Sequence, residues 1–345
     1  MIIKKLSVKN VRSHEDLIIE FSDKVSVITG SNGIGKTTLL ESIYITLRGS
    51  SFKGSDKDVL KHRSPWYRID LSLGDDSIRT VSFDPSKTTG KKKFTIDDKD
   101  SYRLDPKDKY PVVLFEPDDL RLLHGSPSRR RDFIDNFISQ VDPLYSSTLR
   151  KYDRALKQRN TLLKQEYVSS EDLFPWNVSL CEYGAEIIQK RLEAVNTINS
   201  QIGKYYKNIA GGKDKIDVKY SHQDVNITPQ GLLKELEARF NYDVAVKHTS
   251  VGPHRHDIDF TFNDSPALSV ASRGEVRTIL LALKRIEVDN VVKVTSKYPI
   301  ILLDDVFSEL DSDRQGNIVD YFSKNQVIIS SATELDQDNF KHIKL

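Results

Sequence analysis

Apolar and polar positions alternate from the first residues of the chain. Ile3, Leu6 and Val8, then Leu17–Phe21, then Lys24–Thr29, predict three strands before residue 30. Ile69–Leu73 and Ser77–Phe83 flank Gly74-Asp75-Asp76, a hairpin signal. Phe94–Ile96 and Val112–Phe115 close this strand-rich section. The period changes at Ser126-Pro127, a helix N-cap followed by proline at the first helical position. The helical pattern then runs to about Tyr206, with a break near Ser169–Pro175. Gly211-Gly212 and the polar run to Thr228 read as a second break, and Pro229–Phe240 as a short helix. Asp243–Val246 and Ile258–Phe262 read as strands. A helix after Ser272, a strand at Pro299–Leu303, a further helix and a strand at Gln326–Ser330 follow. Strand-rich ends around a helical middle predict one α/β domain, residues 1–118 and 243–345, split by a helical insertion, residues 119–242.

Between the third strand and its helix lies Gly30-Ser31-Asn32-Gly33-Ile34-Gly35-Lys36-Thr37, a complete phosphate-binding pattern. Its glycines let backbone N–H groups wrap a phosphate chain, and the helix N-terminus adds partial positive charge. The helix opens at Thr38, with Leu40, Ile43 and Leu47 on one face. Residues 30–38 are thus the expected cofactor cradle, for ATP. Lys36 is placed to reach the β- and γ-phosphates, and the Thr37 hydroxyl to ligate Mg²⁺.

A partner for this loop stands far along the chain. Ile300-Ile301-Leu302-Leu303-Asp304-Asp305 is a strand buried on both faces that ends in two carboxylates. Asp304 is expected to hold Mg²⁺ through water, and Asp305 to orient and deprotonate the attacking water. Ala271-Ser272-Arg273-Gly274-Glu275 opens a helix, where serine and glycine can bind a γ-phosphate or serve as an ordinary N-cap.

Composition adds limits. The chain has 345 residues, 30% charged and 38% hydrophobic, with a net charge of only +2. Any nucleic-acid contact must therefore use local patches. A lone Cys181 rules out an internal disulfide framework, and its default role is a small buried hydrophobe. The N-terminus lacks the apolar core of a signal peptide, and no apolar run approaches a spanning helix. A cytoplasmic protein is the simplest expectation. Trp66 and Trp176 are expected in cores, and His254-Arg255-His256-Asp257 reads as a structural loop rather than a metal cluster.

In order, these parts resemble the ATP-binding-cassette ATPases: loop, signature serine, paired acids, then Ser308-Glu309-Leu310-Asp311. The resemblance implies an ABC-type P-loop ATPase head, a mixed sheet with an antiparallel β subdomain, that dimerises on ATP and reopens on hydrolysis. Ser272 and Gly274 of one copy would complete the ATP site of the other. Arg273 and Glu275 depart from the transporter signature. Asp305 replaces the commoner glutamate and shortens the base by a methylene, which suggests slow turnover. Val8-Lys9-Asn10-Val11-Arg12-Ser13-His14 is similar to the heads of structural-maintenance-of-chromosomes proteins, which makes Arg12 a candidate phosphate contact beside its alternative as a surface arginine. The insertion, about 120 residues without sustained heptads, excludes a long-armed clamp.

Pro117–Asp135, Val251–Arg255, Ser272–Thr278 and Leu303–Asp311 together resemble the RecF family of recombination and repair ATPases along nearly the whole chain. His256 stands where that family suggests an acid, and Thr333 follows the last strand where other cassettes carry a histidine. The resemblance implies binding to double-stranded DNA and to single-strand/double-strand junctions, and cooperation with RecR and RecO in loading RecA. A transporter motor and a nuclease or scaffold head are the rival classes; neither a membrane-docking surface nor an extra acidic metal site is legible. Three basic clusters are candidate DNA contacts or, equally, solvated faces: Lys91-Lys92-Lys93 with Lys87, Arg129-Arg130-Arg131, and Arg150, Arg154 and Lys157 on one helical face. Arginines in the first turn of a helix oppose its dipole and call for a phosphate or an acidic side chain.

Overall fold

The computed structural model describes residues 1–221, 227–305, 321–333 and 340–345. The chain folds into two compact units, Met1–Asp119 with Glu287–Leu345, and Leu120–Ile286. The second unit takes in residues 243–286 as well as the helical stretch before them.

The first unit opens with β1 (Ile3–Val11), β2 (His14–Glu20), β3 (Val25–Thr29), α1 (Lys36–Arg48) and α2 (Asp56–Val59). It continues with β4 (Tyr67–Leu73), β5 (Ile78–Phe83), β6 (Lys92–Ile96), β7 (Lys99–Ser101) and β8 (Val112–Phe115). The chain then crosses the second unit, built of α3 (Pro127–Ser139), α4 (Pro143–Leu162), α5 (Ser170–Ala210), β9 (Ile216–Tyr220), α6 (Pro229–Ala238), α7 (Phe240–Val246), β10 (Ile258–Phe262), β11 (Ser265–Pro266) and α8 (Ala267–Val270). Helix α9 (Arg273–Thr295) carries the chain back to β12 (Ile300–Asp304), β13 (Val327–Ser331) and β14 (Lys341–Lys344).

Two sheets make the first unit. One is antiparallel, in the order β2-β1-β4-β5-β6-β7, and alternates buried and solvent-facing residues, as in β4, where Tyr67, Ile69, Leu71 and Leu73 point inward. The other is parallel, in the order β14-β3-β13-β12-β8. Its central strands β3, β12 and β13 are buried at every position, as continuous apolar runs covered on both faces must be. Leu39, Leu40, Ile43 and Leu47 of α1 join Leu6, Val8, Leu71, Leu302 and Ile328 in one core. This packing seats the start of α1 over the C-terminal edge of the parallel sheet, where β3, β12 and β13 end together.

The structure departs from the sequence pattern at several places. Asp243–Val246, expected as a strand, is the end of helix α7. The polar run after Gly212 contains strand β9, which pairs antiparallel with β10. The break expected at Ser169–Pro175 ends at Ser169, whose side chain and Asp172 form a capping box, and Pro175 lies inside α5. Trp66 is 41% exposed rather than in a core, and Trp176 is half-buried. The expected helix after Asp305, with Ser308–Asp311, lies outside the described residues.

Candidate nucleotide site

Helix α1 begins without a side-chain cap and without an acid in its first turn. Gly35, at φ 108°, and Gly33, at φ 85°, hold the left-handed backbone that turns β3 into the helix. The Ile34 N–H donates to Ser31 O at 3.4 Å, and the Thr38 N–H to Gly35 O at 3.0 Å. His14 braces the loop from outside, its Nε2 3.1 Å from Gly35 O. Lys36 is buried, and its Nζ donates to Gly30 O at 2.7 Å and Ser31 O at 3.1 Å. Asn32, Gly33, Lys36, Thr37 and Thr38 line a cleft of about 460 Å³ with Arg12, Asp305 and Ser330. An uncapped helix start, a buried lysine and free space in front of them fit a phosphate chain.

The register of the parallel sheet brings in the second half. Ile28 of β3 is paired with Ser330 of β13, and Ser330 with Asp304 of β12. Asp304, 2% exposed, accepts on Oδ1 from the Thr37 hydroxyl at 2.7 Å and from the Ser330 hydroxyl at 2.8 Å. The Thr37 hydroxyl donates its hydrogen bond to the carboxylate and so keeps its lone pairs for a cation. One hydroxyl and one carboxylate fit Mg²⁺, which keeps waters and substrate phosphates as its remaining ligands. No group of three His, Cys, Asp or Glu able to hold a metal occurs among the described residues. Asp305 follows at φ 51° with its N–H on Ser330, 3.1 Å from the carbonyl and 3.0 Å from Oγ, and its side chain lines the cleft.

Three residues that motif reasoning passed over surround this pair. Glu41 of α1 is 1% exposed and takes Arg12 in two bonds, Nε at 2.6 Å and an Nη at 2.8 Å. That pairing raises the pKa of Arg12 and sets its guanidinium at the cleft wall. Ser51 also donates to Glu41. Lys53 reaches Asp304 Oδ2, with Nζ at 3.3 Å. None of the three belongs to a motif; only the tertiary fold brings them to the site. Ser330 was legible as a sheet terminus, not as a support for Asp304.

In the second unit, Ser272 caps α9 in a capping box: its N–H donates to Glu275 Oε2 at 2.6 Å and its Oγ accepts from the Glu275 N–H at 3.3 Å. Ser272 and Arg273 remain exposed. The Pro117–Asp135 segment and the Val251–Asp257 loop meet in a polar knot. Asp135 binds Arg191 through two bonds of 2.8 Å and accepts from the Tyr145 hydroxyl at 2.5 Å. Arg191 also donates to Pro253 O at 2.7 Å. Arg130 meets Asp257 at 2.7 and 2.8 Å, and Arg131 donates to His256 O at 2.9 Å. The first-turn arginines thus take an acidic side chain and a carbonyl. His256 is buried against the Tyr220 hydroxyl at 2.8 Å, and His254 Nδ1 lies 2.6 Å from the Tyr152 hydroxyl. Cys181 is buried, which pushes its thiol up to about 12 and leaves it inert.

The basic clusters separate on the same ground. Lys92 is drawn into Asp56 at 2.5 Å and Gly49 O at 3.0 Å, and Lys93 pairs with Asp100 at 3.0 Å. Lys91 is exposed. Arg129 is half-buried at the start of α3. Arg150, Arg154 and Lys157 stand exposed along one face of α4, and no described acid pairs with them. Lys151 beside them lies over the Tyr183 ring at 5.5 Å.

No described helix is long and apolar enough to cross a membrane. Residues 1–252 match the AAA ATPase domain family. The DNA replication and repair protein RecF of Lachnoclostridium phytofermentans is 33% identical over 96% of this chain and 92% of its own length. The solved structure of the recombination mediator protein RecF-ATP in the RecFOR pathway is 28% identical, covers 98% of this chain and 93% of that one, and has a TM-score of 0.86. The Smc head bound to the C-terminal winged-helix domain of ScpA, 15% identical, shares the fold at a TM-score of 0.55, over 97% of this chain and 90% of that one. A phosphate loop coupled through β13 to a buried aspartate, on the parallel sheet of an ABC-type P-loop head and at full-length similarity, leaves one family: this chain belongs to the RecF family of DNA replication and repair proteins.

Proposed function

We propose that the chain is a slow, DNA-stimulated ATPase that grips double-stranded DNA and gap junctions as an ATP-dependent homodimer. The observation that carries this reading is the Thr37–Asp304 hydrogen bond of 2.7 Å beside the phosphate loop. The backbone of residues 30–38 cradles the phosphates, and Lys36 leaves its loop carbonyls to meet the β- and γ-phosphates. Thr37 and Asp304 hold Mg²⁺, which neutralises phosphate charge when bound. Arg12, fixed by Glu41, presents its guanidinium at the cleft wall toward the nucleotide. Asp305 orients the attacking water and accepts its proton, with its backbone fixed to Ser330. Ser272 and Gly274 of a second copy sense the γ-phosphate in trans; the capping box leaves the Ser272 hydroxyl at an exposed helix start, suited to that task.

DNA contact falls first to Arg150, Arg154 and Lys157, with which no described acid pairs, and then to the exposed Lys91 and the half-buried Arg129 at the start of α3. Lys92, Lys93 and Arg130 are engaged within the chain and serve the fold. The RecFOR pathway named for the solved relative supports cooperation with RecR and RecO; the family resemblance adds to this the loading of RecA, in the cytoplasm.

Fluorescence anisotropy with duplex, single-stranded and gapped DNA, with and without ATP, tests the reading. ATP-stimulated binding to duplex and gapped DNA is expected, and its absence on every substrate overturns the function while leaving the fold. Lys36→Arg is expected to weaken hydrolysis more than nucleotide binding. Asp305→Asn is expected to accumulate as an ATP-bound dimer, and a monomer under those conditions removes Asp305 as base and switch.

A further inference from the structure

The loop after α1 is tied down on several sides. Ser51 Oγ accepts from the backbone N–H groups of Lys53, at 2.8 Å, and Gly54, at 3.0 Å. The same hydroxyl donates to Glu41, the carboxylate that holds Arg12. Phe52 stands edge-on to Tyr44, ring centroids 5.3 Å apart, and the Lys53 ammonium lies 5.9 Å from the Phe52 ring. These contacts fix the Lys53 backbone and aim its stem at Asp304 Oδ2, with Nζ at 3.3 Å. The two carboxylate oxygens are therefore used differently. Oδ1 takes two neutral hydroxyl donors, and Oδ2 faces a cation.

We propose that Lys53 is the resident counter-cation of Asp304, and that it keeps a divalent ion off this carboxylate until a nucleotide brings one. The inference rests on the proposed reading of Thr37 and Asp304 as the metal pair. A carboxylate whose side chain is 3% exposed needs a compensating positive charge, and hydroxyl donors carry none. Lys53 supplies it while remaining 39% exposed on a flexible stem, at a distance longer than a tight charge-assisted bond. The lysine is thus held loosely enough to leave. Lys53 and Mg²⁺ draw on the same carboxylate and repel each other, so metal alone meets a positive competitor. A polyphosphate reverses that balance by adding negative charge on the other side of the ion. Arginine at this position would bind the carboxylate with two donors and leave less readily.

The test uses the full chain and Mn²⁺, followed by the loss of its free-ion EPR signal, without nucleotide and with a non-hydrolysable ATP analogue. Wild type is expected to bind Mn²⁺ with the analogue at concentrations where it binds none alone. Lys53→Met, or Lys53→Gln should the first misfold, is expected to bind Mn²⁺ without nucleotide, and Asp304→Asn added to it abolishes that binding. Lys53→Arg is expected to raise the Mn²⁺ concentration needed with the analogue by about threefold or more. Titrations of Lys53→Met and Lys53→Gln that coincide with wild type in both conditions overturn the proposal. Asp304→Asn alone separates the two levels: Mn²⁺ binding with the analogue that survives it overturns the metal-pair reading itself. If that binding is lost while the Lys53 variants match wild type, only the counter-cation falls.

Discussion

Thr37 Oγ1 donates to Asp304 Oδ1 at 2.7 Å across 267 positions of sequence. The bond ties the end of the phosphate loop to the end of β12 and orients the threonine lone pairs toward the cleft. If the two groups hold Mg²⁺ as proposed, removing either one disables metal-assisted phosphoryl transfer. Thr37→Val and Asp304→Asn are each expected to lower the ATP hydrolysis rate by about 10²-fold or more, since metal stabilisation of the transition state is worth several kcal/mol. Thr37→Ser keeps the hydroxyl and is expected to stay within about threefold of wild type. Steady-state phosphate release at saturating Mg²⁺ and ATP decides between these outcomes.

The two left-handed glycines of the loop are not equivalent. A Cβ on Gly35 would sit 2.3 Å from His14 Nε2 and 2.5 Å from Ser13 Oγ, whereas one on Gly33 meets nothing within 4 Å. Gly33→Ala therefore costs only the backbone penalty, about 1–2 kcal/mol. Gly35→Ala must also displace the ring that braces the loop. We expect Gly35→Ala to lose at least about tenfold more nucleotide affinity than Gly33→Ala, read by titration with a fluorescent ATP analogue.

Arg159 is the largest fully buried side chain of the second unit, at 0% exposure. It donates to Asn177 Oδ1 at 2.7 Å, Asp243 Oδ2 at 2.7 Å and Thr249 Oγ1 at 2.8 Å, which joins α4 to α5, α7 and the loop beyond. Arg159→Met leaves Asp243 charged, buried and without its partner. The expected loss is about 3–5 kcal/mol in urea unfolding, and Arg159→Met with Asp243→Leu is expected to recover most of it, because the second change removes the stranded charge.

That same aspartate explains why part of the fold was hidden in the sequence. Asp243-Val244-Ala245-Val246 alternates like a strand, yet the structure buries Asp243 and leaves Ala245 exposed. Four residues are too few to separate a period of 2 from 3.6, and a buried ion pair outweighs the propensity of two valines. Strand β9 failed the other way. Ile216, Val218 and Tyr220 do alternate into the core, but the polar residues around them masked so short a strand. Long or covered elements were legible: β3, α1 and β12 each combine an apolar pattern with a terminus that carries chemistry. The loop and Asp304 could be paired on sequence because a buried strand cannot end in carboxylates without a partner. Glu41, Ser51 and Lys53 could not, since an acid inside a helix and a lysine in a loop are ordinary until the fold sets them beside Arg12 and Asp304.

His254 gives the second unit a pH dependence of definite sign. The Tyr152 hydroxyl lies 2.6 Å from Nδ1 and Thr249 O lies 3.1 Å from Nε2, so a neutral ring accepts at one nitrogen and donates at the other. Burial, with Arg255 and Arg131 adding repulsion, brings its pKa down to about 4 from 6.5. The folded-state value is the lower one, so the unfolded chain binds the proton first as pH falls. Stability is full above about pH 6.5 and is lost progressively toward pH 4, by at most about 3 kcal/mol from this residue. Urea midpoints of wild type and His254→Gln at pH 7 and pH 5 measure the term. The variant is expected to start lower and to lose less on acidification, and an equal drop in both proteins removes His254 as its source.

The exposed row on α4 separates cations available to a ligand from cations already spent on the fold. Each phosphate neutralised on duplex DNA contributes about 0.9 to the slope of log affinity against log salt. Arg150, Arg154 and Lys157 follow one another around a single helix face, which suits them to successive backbone phosphates rather than to bases. Replacing all three with alanine is expected to reduce the slope by about 2–3 and to weaken every duplex sequence alike. Lys92→Ala and Arg130→Ala are expected to act differently. Lys92 is held by Asp56 and Gly49, and Arg130 by Asp257, so their loss lowers the thermal midpoint and leaves the salt slope unchanged. Anisotropy titrations at several salt concentrations, run beside thermal unfolding, discriminate the two groups. An unchanged slope in the α4 variant with a reduced slope in the other two would transfer the DNA surface to the clusters that the structure shows already paired.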